Sequence, residues 1–294
     1  MTAAGIVILA GGLSSRMRES LAGRGEDVQL SREAGERPKG MLSVGEGFRP
    51  FLDYLLFNIR SAGYRDVVIV LGESDRSVRE RYGLLDRNNE FHGLRISYAV
   101  QRIPAGRTKP LGTADAVLCA MRAREDWRRA SFVVCNSDNL YSREALGAMR
   151  AASSEGALVE YDRKGLALDM ERVNSFASIV AGEDGFVKDL VEKPTPEQLA
   201  DVLRRRPSAG VSMNIFRLPY DRIEPILESM PLHPERGEKE LPTAVGMLVR
   251  REPRTVLSIP RSEPVPDLTR RTDIKAVQDY VAREYPHFRW KEEG

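Results

Sequence analysis

Short apolar runs alternate with segments of helical periodicity through the first half of the chain. The run Gly5–Ala10 is apolar at nearly every position, which is typical of a parallel strand buried on both faces. Pro50–Ala62 instead has apolar residues at helical spacing, and Gly63 follows as a helix stop. The same patterns predict strands at Asp66–Leu71, Arg95–Val100 and Ser131–Cys135 and a helix at Thr113–Ala123. This alternation predicts a mostly parallel sheet with helices on both faces and right-handed crossovers.

The second half has a more mixed pattern. Apolar and alternating segments predict five strands, at Gly156–Tyr161, Ser175–Ala181, Gly185–Glu192, Gly210–Leu218 and Thr255–Pro260. The second and third of these are expected to form a hairpin across Glu183-Asp184-Gly185. Helical patterns fall at Pro196–Arg206, Asp221–Met230, Lys239–Arg250 and Asp273–Glu284. We find no internal repeat and no clean linker, so we expect one α/β unit over residues 1–294, a three-layer α/β/α sandwich with a mostly parallel, mixed sheet.

The charge balance narrows the function classes. The 45 Lys and Arg residues nearly match the 43 Asp and Glu residues, and the formal net charge is +2. Binding to nucleic acid through bulk charge needs a clear basic excess, so this class is not expected. The apolar content of 41% is enough for a packed core. No apolar run approaches the ~20 residues that span a bilayer, and Ala3–Ala10 lacks the features of a signal peptide, so we expect a cytoplasmic protein.

Two smaller features carry structural expectations. Cys119 and Cys135 lie in apolar stretches without CxxC spacing, so both are expected to be buried thiols rather than a disulfide. The segment Arg18–Pro38 is rich in Gly, Arg and acidic residues and has no sustained period, and we interpret it as a mobile loop or lid.

The stretch Leu9–Met17, which reads LAGGLSSRM, directly follows the first predicted strand. Its glycines allow close approach of the backbone to a ligand, and successive N–H groups can bind an anion. Arg16 is a suitable partner for phosphate oxygens, because a guanidinium is planar and always charged. Open α/β sheets bind ligands beyond the carboxyl ends of their strands, where this loop is expected. The alternative is an ordinary strand-to-helix turn, since the stretch is neither a GxGxxG nor a P-loop sequence.

This stretch, followed by Pro38-Lys39, resembles the LAGGxGTRL and Pro-Lys signature of the nucleotide-sugar pyrophosphorylases, which join a nucleoside triphosphate to a sugar 1-phosphate. Further segments resemble that family in the same order, from residue 5 to about 275: Tyr98–Gln101, Pro110–Ala116, Phe132–Tyr141, Val191–Pro194, Ser212–Phe216, Glu240–Pro242 and Pro266–Thr269. Several positions depart from the pattern. Ser14-Ser15 stands for Gly-Thr, as in the molybdopterin and methylerythritol-phosphate branches, Ser137 stands for Gly, and Ser212 and Asn214 stand for Asn and Gly. Asp267 lacks the preceding Trp and the following Gly of the family.

The resemblance implies a GT-A-like fold, in which about residues 1–150 bind the nucleotide and about residues 151–294 bind the sugar phosphate. It implies catalytic roles for Arg16, Lys39 and Lys193. It implies nucleotide binding by Leu9, Ala10, Gly11, Gly12, Ser14, Ser15, Gln101, Leu111, Gly112 and Thr113. It implies sugar-phosphate binding by Asn139, Glu192, Lys193, Ser212, Asn214 and Glu240, and Mg²⁺ binding by Asp138 and Asp267. The expected small-molecule partners are an NTP and a sugar 1-phosphate. The sequence does not determine the oligomeric state, and a homo-oligomer is one alternative.

The chemistry of the transfer is consistent with these roles. Negative charge accumulates on groups that are already negative, so catalysis rests on positioning and electrostatic stabilisation. Arg16 is the candidate for the departing phosphates, Lys39 for phosphates near the α position and Lys193 for the attacking sugar phosphate. Mg²⁺ typically takes one or two carboxylates in addition to phosphates and waters. Gln101 offers a donor and an acceptor to a base edge, which favours a pyrimidine.

Each role has a structural alternative. Asp138 can cap a helix that begins near Ser142, Lys193 can be a solvated loop lysine, and Asp267 can be a turn residue between prolines. Gln101 and Gly112 can simply end a strand and begin a helix. At the level of function, one alternative is a cytidylyl- or guanylyltransferase that acts on a non-sugar acceptor of phosphocholine or molybdopterin type. Another is a non-catalytic nucleotide- or sugar-binding regulator with the same fold.

Overall fold

The apolar runs of the first half form the centre of an eight-stranded sheet in the computed structural model, which describes residues 2–11 and 38–290. The strands are β1 Ile6–Leu9, β2 Ser43–Gly45, β3 Arg49–Pro50, β4 Asp66–Gly72, β5 Asn89–Phe91, β6 Leu94–Gln101, β7 Ser131–Asn136, β8 Gly156–Tyr161, β9 Ser178–Ala181, β10 Val187–Val191, β11 Phe216–Pro219 and β12 Val256–Arg261. The large sheet has the order β12-β8-β11-β7-β1-β4-β6-β5. β9 and β10 form a separate antiparallel pair, as do β2 and β3.

The sheet is mixed in direction. β1 runs parallel to β4 and β7, β4 runs parallel to β6, and β12 runs parallel to β8. β11 is antiparallel to both of its neighbours, β7 and β8, and β5 is antiparallel to β6. From β1 the chain proceeds through β4 to β6 on one side and then returns to β7 on the other side of β1. Such a switch point opens a crevice beyond the carboxyl ends of the strands.

Helices cover both faces of the sheet. They are α1 Phe51–Ser61, α2 Ser77–Tyr82, α3 Thr113–Ala123, α4 Arg143–Ala151, α5 Met170–Asn174, α6 Pro196–Arg205, α7 Tyr220–Ser229, α8 Leu241–Arg251 and α9 Asp273–Glu284. Buried side chains of α1, α4 and α9 form one core cluster on one face, and those of α3, α7 and α8 form another on the opposite face. β1 supplies both clusters, because Ile6 and Ile8 point to the first and Val7 to the second. The α/β/α sandwich with a mostly parallel, mixed sheet is therefore confirmed.

The structure differs from the sequence prediction at short elements and at several strand boundaries. The helices α2 and α5 and the strand β5 have three to six residues each, too few for a period to stand out. The strand predicted at Ser175–Ala181 begins only at Ser178. The strand predicted at Gly210–Leu218 begins only at Phe216. Asn214 has a φ of 58°, which is incompatible with strand geometry, and Val211 makes only isolated bridges to Tyr161 and Ser178.

Three smaller predictions concern the two cysteines, a membrane-spanning helix and the Arg18–Pro38 segment. Cys135 is buried, but Cys119 is only half-buried, so the prediction of two buried thiols is wrong for Cys119. Burial raises the pKa of Cys119 to about 11. Within residues 2–11 and 38–290, no helix has both the length and the apolar character that crossing a membrane requires. The segment interpreted as a lid lies outside the described residues except for Pro38.

Candidate active site

The cavity that gathers the candidate residues has a volume of about 640 Å³ and lies beyond the carboxyl ends of β1, β6 and β7. Of the candidate residues, those that line it are Leu9, Ala10, Gly11, Lys39, Gln101, Gly112, Thr113, Asp138, Glu192, Lys193, Asn214 and Glu240. Residues from both halves of the chain thus face one space. Four other candidates do not line it, namely Leu111, Asn139, Ser212 and Asp267. Gly12, Ser14, Ser15 and Arg16 lie outside the described residues.

Lys39 and Asp138 form an ion pair at the end of β7. The Lys39 Nζ donates to Asp138 Oδ2 at 2.9 Å, and both side chains are largely buried. Lys39 begins a 3-10 turn, and the next residue, Gly40, packs so closely against Ser137 that an added Cβ would lie 3.1 Å from its carbonyl oxygen. That close approach brings the lysine to the aspartate. Asp138 does not cap α4, because the Ser142 Oγ accepts from the Ala145 N–H instead.

Asp267 lies beside Asp138 although it does not line the cavity. The Leu268 N–H donates to the Asp138 carbonyl at 2.8 Å, and Asn139 and Asp267 form an isolated antiparallel bridge. The Asp267 carboxylate accepts from Thr269 Oγ1 at 2.5 Å, and Arg172 is 2.7 Å from its Oδ2. Burial and the nearby charge of Asp138 raise the pKa of Asp267 to about 6, against the lowering influence of Arg172 and Thr269.

This donor set fits Mg²⁺. The described residues contain no group of three or more His, Cys, Asp or Glu that could hold a metal ion. Mg²⁺ does not require one, because it commonly takes one or two carboxylates and completes its shell with phosphates and waters. Burial, and then the charge of Asp138, disfavour ionisation of Asp267; Asp138 and Asp267 would hold the cation, and its charge would favour the ionised carboxylates.

Lys193 belongs to a second charged group that lines the cavity. Its Nζ donates to Glu240 Oε1 at 2.5 Å, and Arg236 donates to the other oxygen of Glu240. Burial raises the pKa of Glu240, but the hydrogen bonds and positive charges of Lys193 and Arg236 outweigh it, and the net pKa is lowered. Burial, and then the charge of Glu240, raise the pKa of the neighbouring Glu192 to about 7. Lys193 is therefore paired with a carboxylate that lines the same cavity, rather than merely solvated.

Gln101, Gly112 and Thr113 lie together at the carboxyl end of β6 and the start of α3. The Gln101 Nε2 donates to the Gly112 carbonyl and to Asp115 Oδ2, both at 2.8 Å. Gly112 has a φ of 105°, and a Cβ there would lie 2.5 Å from the Lys239 carbonyl oxygen. The Thr113 Oγ1 accepts from the Leu241 N–H at 2.9 Å. This region is thus joined directly to the segment that carries Glu240.

Some residues at the site were not among the sequence candidates. Lys109 and Glu238 line the cavity; Lys109 directly precedes a segment that the resemblance had singled out, and Glu238 lies two residues before another. Arg172 was missed altogether, since an arginine on a five-residue helix carries no motif. Only the fold shows that it reaches Asp267.

Comparison with known proteins identifies the family to which the chain belongs. The family model described as "Nucleotidyl transferase" matches residues 6–254, which is most of the chain. The chain belongs to this nucleotidyltransferase family. The resemblance found in the sequence is therefore confirmed at the level of the family.

Curated relatives of the chain are distant. It is 26% identical over 176 residues to the glucose-1-phosphate adenylyltransferase of Bifidobacterium longum, covering 59% of this chain and 42% of that protein. It is 27% identical over 249 residues to a low-salt glycan biosynthesis nucleotidyltransferase of Haloferax volcanii, covering 83% of this chain and 56% of that protein. The chain thus spans about half the length of these relatives.

Solved structures show the same fold. A UDP-glucose pyrophosphorylase complexed with UDP-glucose matches with a TM-score of 0.71 at 17% identity, covering 97% of this chain and 100% of that chain. A UDP-glucose pyrophosphorylase from Acinetobacter baumanii matches with a TM-score of 0.69 at 20% identity, covering 98% and 95%. The GT-A-like fold is confirmed by these neighbours.

Two departures from the family pattern have a structural explanation. Asn214 stands where the resemblance has glycine, and its φ of 58° is a conformation that Asn adopts more readily than other non-glycine residues. The Ser212 Oγ accepts from the Asn214 N–H at 3.1 Å and so supports this turn from outside the cavity. Ser137 is not among the described residues with positive φ, so nothing in its backbone conformation requires glycine.

Proposed function

We propose that the chain transfers a nucleoside monophosphate from an NTP to a sugar 1-phosphate, giving an NDP-sugar and pyrophosphate. The observation that carries this proposal is the single cavity that both ion pairs line, Lys39 with Asp138 and Lys193 with Glu240. Two separate cations that line one space suit a reaction between two phosphorylated substrates. The family to which the chain belongs supports the same reaction.

The two halves have different proposed tasks. Residues 1–150 supply the end of β1, Lys39, Gln101 and Gly112, which we assign to the nucleotide. Residues 151–294 supply Glu192, Lys193 and Glu240, which we assign to the sugar phosphate. The Gln101 Nε2 already donates to Gly112 and Asp115, so recognition of a pyrimidine edge by Gln101 has to use its Oε1 or exchange one of these bonds.

In the proposed step, an oxygen of the sugar phosphate attacks the α-phosphorus in line with the bridging oxygen to the β-phosphorus. That P–O bond breaks, and its electron pair leaves on pyrophosphate. Lys193 holds the attacking phosphate, and Lys39 neutralises charge near the α-phosphate, where it builds up. Asp138, with Asp267 beside it, would hold Mg²⁺, which as a Lewis acid lowers the barrier to attack on phosphorus. Arg16 is the proposed partner of the departing phosphates.

The direct test is a screen for pyrophosphate release. The chain is incubated with each common nucleoside triphosphate, a panel of sugar 1-phosphates and phosphocholine, and Mg²⁺. Turnover with one sugar 1-phosphate supports the proposal and identifies both substrates. Turnover with phosphocholine alone would replace it by transfer to a non-sugar acceptor, and binding of nucleotide without turnover by any pair would favour a regulator.

The Asp138→Asn variant tests the site itself. It should abolish Mg²⁺-dependent pyrophosphate release while the circular dichroism spectrum stays unchanged. Asp162→Asn is the matched control, since Asp162 follows β8 directly and bonds to Gly165 and Ser262 away from the cavity. Full activity of the Asp138 variant would remove its proposed role.

A further inference from the structure

Two ion pairs lie next to each other where Asp138 meets Asp267 at the edge of the cavity. Asp138 pairs with Lys39 at 2.9 Å, and Asp267 pairs with Arg172 at 2.7 Å. The second pair is the more buried, with side-chain exposures of 7% for Arg172 and 6% for Asp267. Each of the two carboxylates proposed to hold the metal is thus paired with a cation, and Arg172 is shared with a third carboxylate, that of Asp273.

Arg172 is not what brings Asp267 to Asp138. The backbone does so, through the hydrogen bond from the Leu268 N–H to the Asp138 carbonyl and the one from the Leu140 N–H to the Pro266 carbonyl, at 2.8 and 2.9 Å. Thr269 also holds the Asp267 carboxylate. Arg172 adds a positive charge to an arrangement that other contacts already fix, and its other partner is Asp273, at the start of α9.

Lys39 and Arg172 disfavour binding of a divalent metal ion before the nucleotide binds, and this effect is offset once the nucleotide is bound. A metal ion that arrives alone meets carboxylates that are already neutralised, and it is repelled by two nearby positive charges. A triphosphate offers Lys39 another anionic partner, which frees an oxygen of Asp138. The triphosphate also carries negative charge, which offsets the combined positive charge of the metal ion, Lys39 and Arg172.

We infer that Arg172 and Lys39 substitute for the divalent cation in the nucleotide-free protein, so that the Asp138–Asp267 pair binds metal weakly until a polyphosphate arrives. This inference rests on the proposed function, because it takes the pair to be the metal site of the transfer reaction. It assigns Arg172 a role that no motif reveals: it acts through Asp267 and touches no substrate.

The test measures binding of Mn²⁺ alone, by electron paramagnetic resonance, without nucleotide or turnover. Arg172→Met removes the charge and keeps a long side chain, and it should tighten Mn²⁺ binding at least about tenfold. Arg172→Lys, which retains the charge, should stay near the wild-type affinity. Lys39→Met should also tighten Mn²⁺ binding, so the inference can still be tested if the buried Arg172 variant fails to fold.

Two further variants make the result specific. Arg163→Met removes another buried arginine, whose partners are Ala209, Asn174 and Ser178, and it should leave Mn²⁺ affinity unchanged. In the double variant Arg172→Met with Asp138→Asn, the gain should disappear. Unchanged or weaker binding in both the Arg172→Met and Lys39→Met variants would overturn the inference.

The outcome is separable from that of the proposed function. If Arg172→Met tightens Mn²⁺ binding but the screen finds no turnover, the inference about Arg172 is supported and the proposed function is rejected. If the screen finds turnover but the variants leave Mn²⁺ binding unchanged, the proposed function is supported and the inference about Arg172 is rejected.

Discussion

At the residue scale, Lys193 shows how the fold gives a loop lysine a defined electrostatic role. It pairs with a carboxylate on the wall of the cavity, and its φ of 44° marks a constrained backbone. Lys193→Met should lower kcat/KM for the sugar 1-phosphate about 100-fold or more, since a charge aimed at the reacting phosphate is lost. Steady-state kinetics with the substrates found in the screen measure this loss.

A matched lysine provides the control for that experiment. Lys188 is similarly exposed, at 49% against 43% for Lys193, and it also lies near a carboxylate, that of Asp184. It does not line the cavity, so Lys188→Met should leave kcat/KM within about twofold. Equal losses in the two variants would mean that Lys193 acts through general surface charge only.

Glu192 carries a pH-dependent contribution to stability. Burial and the charge of Glu240 raise its pKa from 4.5 to about 7 in the folded chain. A carboxyl group with a raised folded pKa stabilises the fold most below its unfolded pKa, and this contribution is lost as the pH rises from about 4.5 to about 7. We expect Glu192→Gln to gain up to about 3 kcal/mol of unfolding free energy relative to wild type over this range.

Urea denaturation of both proteins at about pH 5 and about pH 8 measures that difference. Titrating groups distant from Glu192 contribute equally to the two proteins, so the comparison isolates Glu192 together with its coupling to Glu240. If the difference between wild type and variant is the same at the two pH values, the pKa of Glu192 is not raised in the folded chain.

At the element scale, the turn before β11 shows what the sequence pattern predicts and what it misses. Apolar residues from Gly210 to Leu218 predict a strand, and the side chains are indeed largely buried. The left-handed conformation at Asn214 ends regular pairing and directs that residue into the cavity. Side-chain hydrophobicity reports burial, but it does not report backbone conformation, so the function of this turn could not be predicted from apolarity alone.

The Asn214 turn yields a prediction of its own. Asn214→Gly and Asn214→Ala both remove the amide group, but only glycine adopts a φ of 58° without strain. The alanine variant should be less stable than the glycine variant by about 1 kcal/mol. Chemical denaturation of the two variants measures the difference, and equal stabilities would show that the left-handed turn is not retained.

Elements could be predicted where a pattern repeats along a long helix or where a turn sequence separates two apolar runs. α3 begins and ends at the predicted residues, and the expected hairpin of β9 and β10 forms across the predicted turn. That residues such as Lys39 and Asp138 would line one cavity could be predicted, because they lie in motifs that follow the family's order. Arg172 was not predictable, because its contact with Asp267 joins segments far apart in the chain and depends on how α5 packs.

At the scale of the whole molecule, the strand order shows how the two halves are joined. β11, from the second half, lies between β8 and β7, and β7 in turn pairs with β1. α8, from the second half, shares one core cluster with α3 from the first. We therefore expect residues 1–150 to lack a stable fold alone, and the full chain to unfold in one cooperative transition.

The two tryptophans of the chain make this cooperativity measurable. Trp127 belongs to the core cluster on one face of the sheet, and Trp290 packs against the cluster on the other face. Each of the variants Trp127→Phe and Trp290→Phe leaves one fluorophore, so each reports unfolding on a single face. Because the sheet between the clusters is shared, the two fluorescence midpoints in urea should coincide with each other and with circular dichroism. Midpoints that differ between the probes, after correction for each variant's own stability by circular dichroism, would mean that the faces unfold separately.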